Sequence, residues 1–161
     1  MNHLRRILSL AILVSATLLL TNCGGDDDPE KSQAEIQLDK LKAAQWTLLS
    51  ANDGTDRTDE YPGMTLTFSG TFSPAGSYAY TSSATDWPLL SPWKKDDAWK
   101  FQAGAEGTTI IRLSDDQEMT YKLENSDKQL TIEFNYQGGG FDNNARVQIV
   151  EGDWRFVFTR P

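Results

Sequence analysis

The most oxygen-rich stretch of the chain is residues 53–61 (DGTDRTDEY), and loops of this kind can hold calcium. The spacing does not match an EF-hand loop, and Arg57 interrupts the run of carboxylates. Aspartates in such loops also cap turns by accepting hydrogen bonds from their own backbone. We therefore interpret the stretch as a solvated connection, with a calcium site as the alternative; its carboxylates are Asp53, Asp56, Asp59 and Glu60.

Two pairs of adjacent carboxylates, Asp96/Asp97 and Asp115/Asp116, raise the question of glycosidase chemistry. Glycosidases need two carboxyl groups that face each other across a cleft. Adjacent residues of a strand point to opposite faces, and both pairs have the composition of loops or turns. These pairs therefore do not predict catalysis.

The only histidine, His3, and the only cysteine, Cys23, both lie near the beginning of the chain. Residues 5–20 consist of two arginines and an apolar stretch too short to span a membrane, which predicts an export signal over residues 1–22. Without that signal the domain contains no histidine and no internal disulfide. This excludes Ser-His-Asp and Cys-His nucleophiles and histidine or thiolate zinc sites, so we predict no enzyme, metal or cofactor.

The sequence LTNC at residues 20–23 resembles a bacterial lipobox, which predicts lipidation of Cys23 and a membrane anchor. An unmodified Cys23 in an uncleaved anchor is the alternative. The glycines and acidic residues that follow predict a flexible tether over residues 23–33. The stretch CGGDDD also resembles the surface-export signal of Bacteroidota lipoproteins. It predicts a lipid-anchored protein on the outer face of the outer membrane, with a periplasm-facing lipoprotein as the alternative.

The charge of the chain excludes one class of partner. Lysine and arginine total 15 and aspartate and glutamate 23, for a formal net charge of −8. Loss of Arg5 and Arg6 with the signal would make the domain more acidic still. An acidic surface repels phosphate backbones, so we predict no nucleic-acid partner.

The remaining chain, residues 34–161, predicts one all-β domain behind a short helix. Ala34, Leu38 and Leu41 fall on one helical face within residues 30–44, so this helix should pack on or plug one end of the domain. After Gln45 the hydrophobic period changes to two. About nine short runs then alternate apolar and polar residues; they begin near Trp46, Met64, Tyr78, Trp99, Thr109, Met119, Leu130, Val147 and Trp154.

This pattern predicts an antiparallel up-and-down β-barrel of eight to nine strands, because closure removes the exposed edges of a one-sided sheet. Short hairpin turns are predicted at residues 114–116, 125–127 and 151–153. So many large rings on the inward face predict a mostly filled interior, with at most a shallow pocket at the open end.

Several stretches resemble the lipocalin-like lipoproteins of Bacteroidota, within the lipocalin-like superfamily. They are residues 53–63 (DGTDRTDEYPG), 64–70 (MTLTFSG), 91–93 (SPW), 99–101 (WKF), 110–112 (IIR) and 152–158 (GDWRFVF). The resemblance implies a lipocalin-like barrel with Trp46 on its first strand. Lipocalins stack an arginine on that tryptophan, and Arg160 is the candidate by position. They also carry G-x-W there, whereas this chain has Ala44-Gln45-Trp46, so the resemblance supports the fold more than small-ligand transport.

Residues 86–99 (DWPLLSPWKKDDAW) place large apolar side chains and two prolines in a long connection between strands. Trp87 and Trp93 either line a barrel mouth and stack on a ligand such as a sugar, or seal the barrel end as a lid. Trp99 belongs to the following strand and to the core. The glycines of residues 138–144 predict turns rather than a phosphate loop, and Asn143 is a weak candidate for binding a glycan.

Two functional hypotheses follow. The first is a non-catalytic, lipid-anchored envelope protein that binds a small hydrophobic, carbohydrate or extended ligand at the barrel mouth, through Trp87, Trp93, Tyr78, Tyr136 and Asn143. The second is a structural or accessory subunit that docks an outer-membrane protein complex without a ligand pocket. A cavity lined by the tryptophans and tyrosines would favour the first, and a solid core with an exposed apolar patch the second.

Overall fold

A computed structural model describes residues 30–138 and 150–161 of the chain. The span Ser32–Pro161 forms one compact unit. The predicted signal peptide, Cys23, most of the predicted tether, Asn143 and the predicted strand at Val147 lie outside the described residues. Over the described ranges, no helix has both the length and the apolar character needed to cross a membrane.

The described residues form one α-helix and eight antiparallel strands, and the strands close into a barrel in sequence order. Each strand pairs with its neighbours in the chain, and β8 returns to pair with β1. A short 3-10 helix lies between β1 and β2. The elements are α1 (Gln33–Lys42), β1 (Trp46–Asn52), the 3-10 helix (Thr58–Glu60), β2 (Thr65–Ser69), β3 (Tyr78–Ser83), β4 (Asp96–Phe101), β5 (Thr109–Arg112), β6 (Gln117–Glu124), β7 (Gln129–Tyr136) and β8 (Gly152–Thr159). The prediction of an all-β, lipocalin-like up-and-down barrel with one short helix is confirmed.

Tight turns are present at two of the three predicted positions, where the residue types tolerate a left-handed backbone. Residues 125–127 join β6 to β7 in a left-handed conformation, and Asp116 does the same between β5 and β6. The turn predicted at residues 151–153 is wrong. Gly152 pairs with Tyr136 and Asp153 with Asn135, so both residues belong to β8. The Asn135 amide donates to the Asp153 carboxylate at 2.7 Å, which stabilises this pairing.

Aromatic side chains fill the barrel as the alternation predicts. The alternation places eight large rings on the inward face. Seven are buried, namely Trp46, Phe68, Tyr80, Tyr121, Phe134, Trp154 and Phe156, and Phe101 is half-buried. Trp99 is also fully buried, as predicted. An eight-stranded barrel is just wide enough for such side chains to fill it.

Two strands depart from the predicted alternation. A period of two from Thr109 predicts that Thr109, Ile111 and Leu113 point inward, but in β5 the buried residues are Ile110 and Arg112. A one-residue shift in phase exchanges the two faces of a strand, and here it turns a charged side chain inward. In β1 Leu49 points outward as predicted and is 59% exposed, but a bulge between Leu48 and Ser50 shifts the phase, so that Ala51 is buried in place of Ser50.

Helix α1 covers one end of the barrel, which we call the helix end. Its buried Leu38 and Leu41 face the core, as the spacing predicts. The helix begins at Gln33, within the predicted range of residues 30–44, because Ser32 caps it by accepting a hydrogen bond from the Glu35 amide at 3.2 Å. Lys40 pairs with Asp127 of the β6–β7 turn at 3.2 Å. The opposite end, where β1, β3, β5 and β7 finish, is called the lid end.

The tryptophan of β1 and the arginine at the end of the chain meet at the helix end. The Arg160 guanidinium lies 4.6 Å from the centre of the Trp46 ring, and its Nη1 donates to the Lys40 carbonyl at 2.9 Å. The Trp46 indole donates to the Leu41 carbonyl at 2.8 Å. Arg160 therefore occupies the place that the lipocalin resemblance implies, and both residues hold α1 on the barrel.

Candidate functional site

The lid end is closed by the connection between β3 and β4, residues 84–95, which we call the lid loop. Ser91, Pro92 and Trp93 turn into the barrel and are buried; we call these three residues the plug. The Trp93 side chain is 2% exposed, although it lies outside any strand. The sequence left two roles open for this loop, ligand binding and sealing of the barrel end. The structure shows the sealing role for Trp93.

The Trp93 ring fits a slot built from aromatic side chains of several strands. Its centre lies 5.0 Å from that of Phe156 and 5.7 Å from that of Tyr80. Phe134 and Phe158 complete the slot at 6.1 and 5.9 Å. Tilted contacts at these distances are favourable for aromatic pairs and add to the gain from burial.

Hydrogen bonds fix the plug as well as packing does. The Trp93 indole donates to the Ser82 hydroxyl at 3.0 Å. The Ser91 hydroxyl accepts from the Trp93 amide at 2.9 Å and lies 3.1 Å from the hydroxyl of Tyr61. The polar groups that enter the barrel with the plug are therefore satisfied, as buried polar groups need to be.

Arg112 is fully buried beneath the plug. Its Nε and Nη2 donate to both carboxylate oxygens of Asp115, at 2.9 and 2.7 Å, and its Nη1 donates to the Pro92 carbonyl at 2.9 Å. Its guanidinium also lies 5.8 Å from the ring centres of Phe134 and Tyr136. The side chain thus ties the end of β5 to the lid loop.

Arg112 stays charged in this environment. Burial alone would lower its pKa, but the hydrogen bonds to Asp115 and the charge of that carboxylate outweigh burial, so the pKa is raised. The neighbouring Tyr80 hydroxyl is buried and interacts with the Arg112 guanidinium. Burial raises the pKa of Tyr80, so this hydroxyl stays neutral.

The outward half of the lid loop is apolar; we call Trp87, Pro88, Leu89 and Leu90 the outer patch. Leu89 is the most exposed large apolar side chain among the described residues, at 71%. Trp87 is half-buried, with its ring edge-on to Tyr61 at 5.9 Å and Lys95 Nζ 5.5 Å from its centre.

The structure does not gather the predicted ligand-binding residues around one cavity. Trp87, Trp93 and Tyr136 lie at the lid end, where Trp93 fills the interior. Tyr78 lies at the helix end, where its hydroxyl donates to the Ser73 carbonyl at 3.1 Å. There it lines a separate cleft of about 500 Å³ with Ala34, Pro74, Phe101 and Ile111. Asn143 is outside the described residues.

Sequence reasoning missed Arg112, Ser91, Ser82 and Tyr61, which position the plug. The only signal for Arg112 was the IIR stretch noted in the family resemblance, and the predicted phase of β5 placed this residue outside. Serine and tyrosine hydroxyls carry no pattern that indicates a loop docking onto them, since their partners lie far away in the chain.

The acidic loop after β1 forms its own network. Arg57 pairs with Asp53 at 3.1 Å and with Glu60 at 2.8 Å. Asp53 accepts from the Thr55 amide, and Asp56 accepts from the amide and hydroxyl of Thr58. Hydrogen bonding to Thr58 lowers the pKa of Asp56. These turn-capping contacts are those expected of a solvated connection. Among the described residues, no group of three or more histidine, cysteine or acidic side chains is placed to hold a metal ion.

One carboxylate of each adjacent pair makes an ion pair at the lid end. Asp97 of β4 pairs with Lys94 at 3.2 Å and accepts from the Ser114 hydroxyl, and Asp115 holds Arg112. Asp96 and Asp97 begin β4 instead of lying in a loop, which differs from the sequence-based expectation.

The fold and this end of the molecule define a class: a closed antiparallel β-barrel, capped by a helix at one end and plugged by its own loop at the other. Comparison with protein-family models, curated proteins and solved structures finds no significant match to the chain.

Proposed function

We propose that this chain is a non-catalytic, lipid-anchored protein of the bacterial cell envelope, related to the lipocalin-like lipoproteins of Bacteroidota, that docks a protein partner through the outer patch. The observation that carries the proposal is that the two halves of the lid loop lie in different environments. Its inner half fills the barrel with Trp93, while its outer half leaves Leu89 71% exposed. A filled interior with an exposed apolar patch is typical of a docking module.

Small-ligand binding at an open mouth has weaker support. The predicted ligand residues do not share a cavity, because Trp93 occupies the interior and Tyr78 lies at the helix end. The cleft that Tyr136 lines, with Asp115 and Gln117, has a volume of about 290 Å³. It is at the small end of the usual range for ligand sites.

The proposed anchor and the proposed docking surface suit one another. Lipidation at Cys23 would tether the domain through the chain that leads to α1 at the helix end. The outer patch lies at the opposite end of the barrel. Attachment through α1 would therefore leave the outer patch accessible to a partner, such as an outer-membrane protein complex.

Substitution of Leu89 by serine is expected to abolish capture of the docking partner from detergent-solubilised envelopes by the tagged full-length lipoprotein. The matched control is Leu49→Ser, because Leu49 is also an exposed leucine but lies on the outer wall of β1. Quantitative mass spectrometry should find a protein that is recovered with the wild type and L49S and depleted about tenfold with L89S. Recovery of the same proteins with all three baits would contradict docking through the outer patch.

Surface exposure of the lipoprotein can be tested separately. Protease added to intact cells is expected to remove the full-length protein, while a periplasmic protein in the same cells stays intact. Replacement of the acidic residues Asp26, Asp27 and Asp28 by alanine should protect the lipoprotein if this segment directs surface export. Survival of the wild-type protein until the cells are lysed would place it facing the periplasm instead.

A further inference from the structure

The outer wall of the barrel carries an elongated cleft across strands β5 to β8, which we call the wall cleft. Its smaller part has a volume of about 500 Å³ and its larger part about 620 Å³, and the two parts share Thr120, Glu133 and Arg155. These three residues stand opposite one another on β6, β7 and β8. We propose that the wall cleft is a binding site for a neutral oligosaccharide. The site lies outside the barrel interior and is independent of the docking proposal.

The smaller part of the wall cleft contains a buried hydroxyl without a partner. Thr131 lines this part, although it is only 6% exposed. It belongs to the outer face of β7, because its neighbours Leu130 and Ile132 point into the core. Its hydroxyl is buried and makes no hydrogen bond within the described residues. Such a group is unfavourable, so a ligand oxygen that bonds Thr131 would satisfy a hydroxyl that the folded chain leaves unsatisfied.

The outer wall is indented around Thr131. Val157 pairs with Thr131 on β8 and is only 5% exposed, although its register also places it on the outer face. Lys122 stands opposite Thr131 on β6, and its side chain is 70% exposed. Arg155, two residues before Val157, is also exposed. Thr131 therefore lies at the bottom of a depression between longer side chains, and a ligand that enters is contacted from several sides.

The charges that line the smaller part cancel one another. Lys122 pairs with Glu124 at 2.6 Å, and Arg155 pairs with Glu133 at 3.0 Å. A charged ligand would have to break one of these pairs and would gain no net attraction from the rest. A neutral ligand can instead bond both pairs at once, since the guanidinium carries further donors on its Nη groups and the carboxylates accept.

The larger part of the wall cleft is acidic. Glu118 and Asp153 line it, and Arg155 is the only cationic side chain there among the described residues. The amides of Gln117 and Asn135 line the same part, and Asn135 donates to Asp153 at 2.7 Å. Excess negative charge repels an anionic ligand, whereas amides and carboxylates can bond groups that both donate and accept. This part therefore selects against acidic sugars.

The ligand that these features fit is an oligosaccharide. Each sugar hydroxyl both donates and accepts, and neighbouring hydroxyls match the two oxygens of a carboxylate or the fork of a guanidinium. A peptide would need an open strand edge, but the eight described strands are paired on both sides. Two connected parts of this size accommodate a chain of sugar units. Hydroxyls of the same chemical kind line the cleft at Thr108, Thr109, Thr120 and Thr131.

The test is calorimetric titration of the detergent-solubilised full-length protein. The probes are neutral hexasaccharides of glucose, mannose and xylose in α or β linkage, and the hexamer of galacturonic acid. At least one neutral hexasaccharide is expected to bind with a Kd of about 1 mM or tighter, and the acidic hexamer about tenfold more weakly. Binding of no neutral probe, or equal or tighter binding of the acidic hexamer, would overturn the proposal.

Thr131→Val then locates the site, because valine keeps the shape of threonine and removes only the hydroxyl. T131V is expected to bind the tightest neutral probe about tenfold more weakly, while Thr131→Ser keeps the affinity of the wild type. The matched control is Thr81→Val, since Thr81 is an exposed threonine on the outer face of β3. Unchanged affinity of T131V, or the same loss in T81V, would rule out binding at Thr131.

Arg155→Met is the second variant and covers the case in which T131V does not fold. Arg155 lies where the two parts of the wall cleft meet, and its exposed ion pair contributes little to stability. R155M is expected to weaken binding of the tightest neutral probe about tenfold. A folded R155M with the affinity of the wild type would place the sugar elsewhere and refute the assignment. None of these results depends on whether Leu89 docks a partner.

Discussion

Replacement of Arg112 by methionine is expected to lower the free energy of unfolding by about 3 kcal/mol, although methionine is apolar and fits a barrel interior. The change leaves the Asp115 carboxylate and the Pro92 carbonyl without their donor. The loss falls at the low end of the range for a broken buried pair because Asp115 is 26% exposed and can recover some hydration. Urea unfolding followed by tryptophan fluorescence measures this difference.

The matched control is Arg155→Met, which removes the same type of side chain from the outer wall of the barrel. Arg155 pairs with Glu133 at 3.0 Å, and both side chains are more than half exposed. Such surface pairs contribute about 0–1 kcal/mol. If R112M and R155M unfold at the same urea concentration, Arg112 does not hold the lid loop to β5.

The largest expected loss comes from Trp93→Ala, which should destabilise the domain by about 3–5 kcal/mol. The substitution removes a fully enclosed indole and leaves a cavity between the walls of the barrel, because the strands are hydrogen-bonded on both sides and cannot collapse inward. Differential scanning calorimetry measures the effect as a fall in Tm. A small molecule that fills the cavity should restore part of the Tm by mass action.

The comparison variant is Trp87→Ala, six positions earlier in the same loop. Trp87 is half-buried and makes one edge contact with Tyr61, so its removal should cost about 1 kcal/mol. If W87A and W93A lose the same free energy of unfolding, the lid loop packs as one unit and the slot has no special role. A negligible loss for W93A would mean that the interior does not need the plug.

Much of the barrel can be predicted from local pattern. Period-two alternation identifies each described strand, since strand side chains alternate between the core and the solvent. The Asn-Ser-Asp stretch at residues 125–127 identifies the β6–β7 turn, because these residue types tolerate the left-handed conformation. The helical spacing of Leu38 and Leu41 identifies the face of α1 that covers the barrel.

Other features could not be predicted because they depend on partners that are distant in the chain. Hydropathy alone predicts the wrong inward face for β5, because it places the charged Arg112 outside. Burial of Arg112 becomes tolerable only when Asp115 and the Pro92 carbonyl of the lid loop accept its hydrogen bonds. The alternation predicts inward and outward faces but not the end of the barrel at which a residue lies. For that reason Tyr78 appeared to belong with Trp87 and Trp93, although the barrel is between them.

The sequence by itself determined an all-β barrel with a short helix at one end, and it offered Arg160 as a candidate partner of Trp46 by analogy. These depend on periodicity and position, which a linear chain displays directly. Only the tertiary structure decided that Trp93 enters the barrel while Leu89 stays outside, although both belong to one apolar loop. The physical reason is complementarity. The space between the inward rings accommodates one indole, and the Nη1 of Arg112 donates to the Pro92 carbonyl of the same loop. Neither feature exists until the strands close.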